Sequence, residues 1–230
     1  MSGGAGGDGG TDPPVILALD SATTRIVVAV GTLTGTPIET TEWPAGYRHG
    51  ETLLPAVDSL LRRLGIGRER LAAIVVGTGP GAFTGLRVGI ATAKGLAHAL
   101  GVPIIGVSTA DALLAGAPDG ALLLLPAGPS DRIVAGRGRP ATLVTSGEEP
   151  AVAPGDHLVA VDLPGRAPAD ALERGDAARA RLGVALLELG AARLAGGDVD
   201  DLARLVPDYV TLPRGVRSVD GEVAWSRDPR

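Results

Sequence analysis

The segment Gly77-Thr78-Gly79-Pro80-Gly81-Ala82-Phe83-Thr84-Gly85-Leu86-Arg87-Val88-Gly89 constrains this chain more than any other. An apolar run, Leu71 to Val76, enters it as a buried strand, and the spacing beyond it predicts a helix over Phe83 to Leu100, stopped by Gly101. Glycine and proline concentrated at a strand-to-helix junction demand a tight turn, because glycine permits positive φ and close approach of backbones. The same geometry suits an anion at the helix N-terminus. The spacing is neither a Walker A loop nor a dinucleotide fingerprint, and no lysine follows the turn. A turn shaped only for packing and a turn that meets phosphate both fit.

The residues around this junction predict a mixed sheet with helices packed on it. Val15 to Leu19 and Arg25 to Val30 are apolar strands flanking the polar turn Asp20-Ser21-Ala22-Thr23-Thr24, and Pro37 to Trp43 alternates as a third strand. Glu51 to Leu64 places Leu53, Val57, Leu60, Leu61 and Leu64 at helical spacing, with Gly65 as the stop; Val102 to Val107 is a further strand. The order β-β-β-α-β-α-β is a meander followed by crossovers. Short strands over Ala121 to Leu125, Arg132 to Ala135, Ala141 to Val144 and His157 to Val161 follow, then one helix over Ala177 to Leu194, closed by Gly196-Gly197. The expected organisation is a disordered Gly-rich lead (1–14), a first domain (15–108), a second domain (109–215) and a tail (216–230) carrying Arg217, Arg227 and Arg230. A chain of 230 residues suffices for two domains of roughly 100 residues, each with a core.

Two features inside this frame are candidates for function. In the turn after the first strand, Asp20, Ser21, Thr23 and Thr24 offer side-chain oxygens and backbone N–H groups at a sheet edge, which serves either a plain hairpin or a phosphate. Gly79 and Gly81 of the Gly-rich turn are the accompanying candidates. In the long helix Gly85, Gly89, Ala93 and Ala97 recur every four residues and leave a smooth ridge. A ridge of that kind admits either the chain's own sheet or a partner helix.

Composition excludes several classes. A net charge of -5 with a single lysine, Lys94, does not provide the clustered cations that a principal nucleic-acid surface needs. With no cysteine there is neither a disulfide framework nor a thiolate metal site. The three histidines, His49, His98 and His157, are too scattered for a zinc site, and Arg48-His49-Gly50-Glu51 supplies only one pair. No nucleophile elbow or Ser/His/Asp triad can be assembled, and Glu148-Glu149 and Asp200-Asp201 read as solvated surface. The longest apolar run, near Ala121 to Pro126, is far short of a membrane span, and the N-terminus lacks the basic start and apolar centre of a signal peptide, so a cytoplasmic protein is expected.

Taken together, Ile16-Leu17-Ala18-Leu19-Asp20-Ser21-Ala22-Thr23, Arg48-His49-Gly50-Glu51 with Leu53-Leu54-Pro55, and Gly77 through Gly89 resemble the TsaB (YeaZ-like) family of tRNA threonylcarbamoyladenosine biosynthesis. Val107-Ser108-Thr109 and Pro207-Asp208-Tyr209-Val210 also fit, and the resemblance is strongest from Val15 to Ala112. It implies an α/β, actin/Hsp70-like (ASKHA) fold of two related domains, mixed sheets flanked by helices, the second domain reduced. It also implies a non-catalytic partner of a TsaD-like catalytic subunit, assembled with a TsaE-like ATPase, homodimeric when alone and touching tRNA only through its partners. The two helices Glu51–Leu64 and Phe83–Leu100 would form the partner face, with Leu53, Val57, Gly85, Leu86, Gly89, Ala93 and Ala97 as interface residues. TsaD-like catalysis uses a metal held by two histidines four apart, whereas His49 is followed by non-ligands. The expectation is therefore no catalytic residue, no metal and no cofactor, with weak or no nucleotide binding at Asp20, Ser21, Thr23, Thr24, Gly79 and Gly81. The segment Pro126-Ala127-Gly128-Pro129-Ser130-Asp131-Arg132 departs from the family pattern. A metallopeptidase-like or carbamoyl-transferring enzyme of the same superfamily, and an independent ATP-binding sensor, are the alternatives.

Overall fold

Strand β1 (Val15–Asp20) is buried along its whole length because it lies at the centre of a sheet covered on both faces. In the computed structural model, which describes residues 12–46, 49–148, 157–210, 216–219 and 222–225, β1 is flanked by β2 (Arg25–Thr32) and then β3 (Pro37–Pro44), both antiparallel. On its other side lie β4 (Leu71–Gly77) and β5 (Ile104–Val107), joined in parallel. The order β3-β2-β1-β4-β5 is the meander-plus-crossover sheet that the sequence predicts.

The strands' twofold alternation divides the core. Leu17, Leu19, Val28, Val30, Ile74 and Val76 point to one face, where α1 (His49–Arg63) and α2 (Phe83–Leu100) contribute Leu53, Val57, Leu60, Ile90, Ala93 and Ala97. Helix α2 ends where the sequence places its stop: Gly101 has φ 66°, and Val102 N–H reaches back to Ala97 O at 3.1 Å. Ile16, Ala18, Val27, Ala29, Ala73 and Val75 point to the opposite face. There they meet the short helix α3 (Thr109–Leu113) and residues from the second half of the chain.

The second sheet repeats the first in miniature. Strands β6 (Leu122–Ala127), β7 (Asp131–Gly136) and β8 (Thr142–Val144) form an antiparallel meander, and β9 (Leu158–Ala160) joins β6 in parallel, giving β8-β7-β6-β9. Put β6 in the place of β1 and β9 in the place of β4, and the order matches four positions of the first sheet. A fifth strand is missing among the described residues, which is the sense in which this half is reduced.

The expected helix over Ala177 to Leu194 is two helices, α4 (Ala169–Ala180) and α5 (Leu182–Ala195), separated at Arg181. Gly183, two residues beyond the break, lets the first turn of α5 lie close against Thr40, Ala29 and Val27. The cause of the break is tertiary: α4 packs along β9, while α5 turns away to lie on β1, β2, β4 and β5. Leu182, Ala185, Leu186, Leu187 and Ala191 of α5 thus enter the first sheet's core although they belong to the 109–215 segment.

Residues 1–11 of the Gly-rich lead lie outside the described residues, while Asp12 and Pro13 are held by the Arg70 guanidinium. In the tail β10 (Val216–Val219) pairs with β11 (Glu222–Trp225); Arg227 and Arg230 lie outside the described residues.

Candidate functional site

The turn between β1 and β2 sits where the two sheets approach each other, and each of its polar side chains is committed. Asp20 is fully buried; its Oδ1 accepts the Ala22 N–H at 2.7 Å and its Oδ2 accepts the Thr109 hydroxyl at 2.6 Å. Burial raises the Asp20 pKa, against the opposing pull of the Thr109 and Ala22 hydrogen bonds. Thr109 Oγ1 in turn accepts the Gly79 N–H at 3.0 Å, so one carboxylate links the first turn, the Gly-rich turn and the start of α3. Ser21 Oγ donates to Gly85 O at 2.7 Å, and Thr23 Oγ1 donates to Arg25 O at 3.0 Å.

Thr24 faces the second sheet. Its backbone N–H and its hydroxyl donate to the two oxygens of Asp162, at 2.7 and 2.6 Å. The Arg179 guanidinium closes the group, 3.1 Å from Asp162 Oδ1 and 2.6 Å from Asp176 Oδ1. Asp162 has φ 58°, a left-handed backbone that aspartate tolerates better than most residues, and its side chain is only 6% exposed. Beside this cluster lies a cleft of about 550 Å³, lined by Ala22, Thr23, Thr24, Gly81, Leu125 and Asp162 among others.

The Gly-rich turn is shaped by close approach. A Cβ at Gly81 would collide with the Ala22 carbonyl, the group that accepts the Ala82 N–H at 2.7 Å. Thr78 O also accepts the Asp208 N–H at 2.8 Å, which pins the late Pro207-Asp208-Tyr209-Val210 segment to the turn. Phe83 and Tyr209 then stack with ring centroids 4.9 Å apart, and the Arg87 guanidinium lies 5.3 Å from the Phe83 centroid.

The residues expected to meet a partner helix do not face outward. Leu53, Val57, Gly85, Leu86, Gly89, Ala93 and Ala97 are all buried in the chain's own packing. At Gly89 an added Cβ would strike Ser21 Oγ and approach Leu19, so the small-residue ridge is what lets α2 lie close on its own sheet. The exposed side of α2 consists of Thr84, Arg87, Ala91, Gly95, His98 and Ala99, and Leu54 of α1 is 51% exposed. A Cβ at Gly95 would meet open space.

Sequence reasoning found Asp20, Ser21, Thr23, Thr24, Gly79 and Gly81, and the structure brings them together. It missed Asp162 and Arg179, and noted Thr109 only within the resembling stretch Val107-Ser108-Thr109, although an aspartate directly after the apolar strand end Val159-Ala160-Val161 repeats the pattern of Leu19-Asp20. Arg48 lies outside the described residues, as does the side chain of His49. Among the described residues no three His, Cys, Asp or Glu come together as a metal-holding group, and no helix is long and apolar enough to cross a membrane.

Two sheets of matching strand order, meeting at a cleft edged by the first β-hairpin turn, have the arrangement of the actin/Hsp70-like (ASKHA) fold, mixed sheets flanked by helices. Residues 44–166 match the family model described as TsaD: tRNA N6-adenosine threonylcarbamoyltransferase. That is more than half of the chain, which therefore belongs to this family, and relatives named TsaB are among the proteins it resembles. The tRNA threonylcarbamoyladenosine biosynthesis protein TsaB of Escherichia coli is 39% identical over 102 residues, 44% of this chain and 43% of that protein. A Mycobacterium leprae protein is 41% identical over 103 residues, 43% of this chain and 28% of its own length. The match thus spans less than half the length of these curated relatives. In fold, the chain resembles YeaZ from Pseudomonas aeruginosa with a TM-score of 0.63 at 23% identity, covering 85% of this chain and 99% of that one.

Proposed function

We propose that this chain is a non-catalytic partner of a TsaD-like subunit in forming N6-threonylcarbamoyladenosine in tRNA, working in the cytoplasm. The observation that carries the reading is the family match over 44–166 in a chain whose three histidines include no pair four apart. A TsaD-like metal site needs such a pair, so the chemistry belongs to the partner. The net charge of -5 supports the same division of labour, with tRNA held by the partner's surface. The surface offered to that partner is the exposed side of α1 and α2, containing Leu54, Ala91, Gly95 and Ala99, in place of the buried ridge. In the absence of the partner the same side would pair two copies, and a TsaE-like ATPase would join the assembled complex.

The test is reconstitution with a TsaD-like subunit, a TsaE-like ATPase, tRNA and a threonylcarbamoyl donor. Modified tRNA should form when the chain accompanies the other two proteins and should fall to background when it is omitted. Modification by the chain alone, with the donor and tRNA, would assign it the catalytic role and overturn the reading.

A further inference from the structure

The group formed by Thr24, Asp162 and Arg179 has the composition of an occupied anion site. Two donors on one residue, a backbone N–H and a hydroxyl, converge on two oxygens of one carboxylate at 2.7 and 2.6 Å, with a guanidinium 3.1 Å away. Donors of that kind, aimed from a hairpin turn into a cleft, are what a phosphate oxygen pair requires. The anion they hold is supplied by the chain itself. Asp162 reaches them from a left-handed backbone with φ 58°, the only non-glycine residue at positive φ among those described, and such a conformation persists where the surroundings over-determine it. The carboxylate is nearly shut off from solvent while the cleft beside it, about 550 Å³, has room for a phosphate group.

We propose that Asp162 is a built-in anionic ligand: it fills the phosphate-type donor set of the β1–β2 turn, fastens that turn to the second sheet and closes the cleft to phosphate-bearing molecules. The consequence is a protein whose two sheets are held together independently of nucleotide. The inference rests on the Thr24–Asp162–Arg179 geometry and not on the identity of any partner, so it stands or falls separately from the role in tRNA modification.

The experiment is calorimetric titration of pyrophosphate into the wild type and into Asp162→Gly and Asp162→Asn at fixed ionic strength. Both replacements tolerate positive φ, and the asparagine keeps the shape, so one variant remains informative if the other folds poorly. Saturable binding at least about tenfold tighter than in the wild type is expected in Asp162→Gly, where both donors are freed, with a smaller gain in Asp162→Asn, whose amide oxygen still occupies one of them but which has lost the negative charge. Asp176→Asn, which removes a neighbouring charge but leaves the clasp, should give no such gain; adding Thr24→Val to Asp162→Gly should abolish it. Wild type binding pyrophosphate as well as the variants, folded variants with no gain, or an equal gain in Asp176→Asn would each overturn the proposal.

Discussion

Ser21 Oγ occupies the space where a side chain at Gly89 would begin, and from there it donates to Gly85 O at 2.7 Å. One hydroxyl thus ties the first hairpin turn to the backbone of α2, and the glycine four residues on makes room for it. Gly89→Leu should therefore act on folding. Overpacking together with the loss of a buried hydrogen bond costs about 3 kcal/mol. Denaturant unfolding at constant m would report it, and a variant as stable as wild type would contradict the packing described.

The same substitution on the other side of the helix should behave in the opposite way. Gly95→Leu enters open space and replaces a poor helix former with a good one, so stability should hold or rise by about 0.5–1 kcal/mol. If the exposed side of α2 receives the TsaD-like partner, the added bulk should lower partner affinity by at least about tenfold, as changes at an interface centre do. Size-exclusion and titration measurements on Gly89→Leu and Gly95→Leu in parallel check this. Full partner affinity in folded Gly95→Leu would move the interface elsewhere.

The contrast between those two glycines explains how much of the molecule could be read from its sequence. Periodicity identified α2, its stop at Gly101 and the strands of both sheets, because burial on a strand or helix leaves a repeating mark. Periodicity does not say which of two small faces meets the chain's own sheet; Gly89 and Gly95 are alike in sequence and differ only in what the fold puts opposite them. The break at Arg181 was illegible for the same reason: α4 and α5 are both good helices, and the turn between them exists because β9 and β1 lie in different sheets. Asp20 to Thr24 stood out as a turn, yet the residue that completes the site, Asp162, is 138 positions from Thr24 and no local pattern joins them.

Phe83 and Tyr209 make a second long-range link, between the start of α2 and the segment pinned to Thr78. A stacked pair of this kind contributes about 0.5–1.5 kcal/mol beyond its buried area. A double-mutant cycle with Phe83→Leu and Tyr209→Leu should return a coupling energy in that range, read from thermal or denaturant unfolding. Strict additivity would mean that the rings touch without supporting each other.

Asp20 supplies a prediction in pH. Burial raises its pKa in the folded chain above the ordinary aspartate value that it has when unfolded, even though Thr109 and Ala22 hydrogen-bond the carboxylate. Below the ordinary value both states carry the proton and no pH dependence arises. Between the ordinary and the raised values only the folded state keeps it, so stability falls as pH rises, and above the raised value the loss is complete and constant. Asp170 and Asp198 act in the opposite sense, since Arg174 and Arg193 hold their carboxyls below the ordinary range and their contribution is lost as pH falls. Both are exposed and both remain in an Asp20→Asn variant, so subtracting the variant's unfolding free energy from that of wild type isolates the buried group. The difference should decline as pH is raised through the interval above the ordinary aspartate value and then level off. A difference that is flat, or that grows with pH, would mean that the hydrogen bonds from Thr109 and Ala22 outweigh the cost of burying the charge.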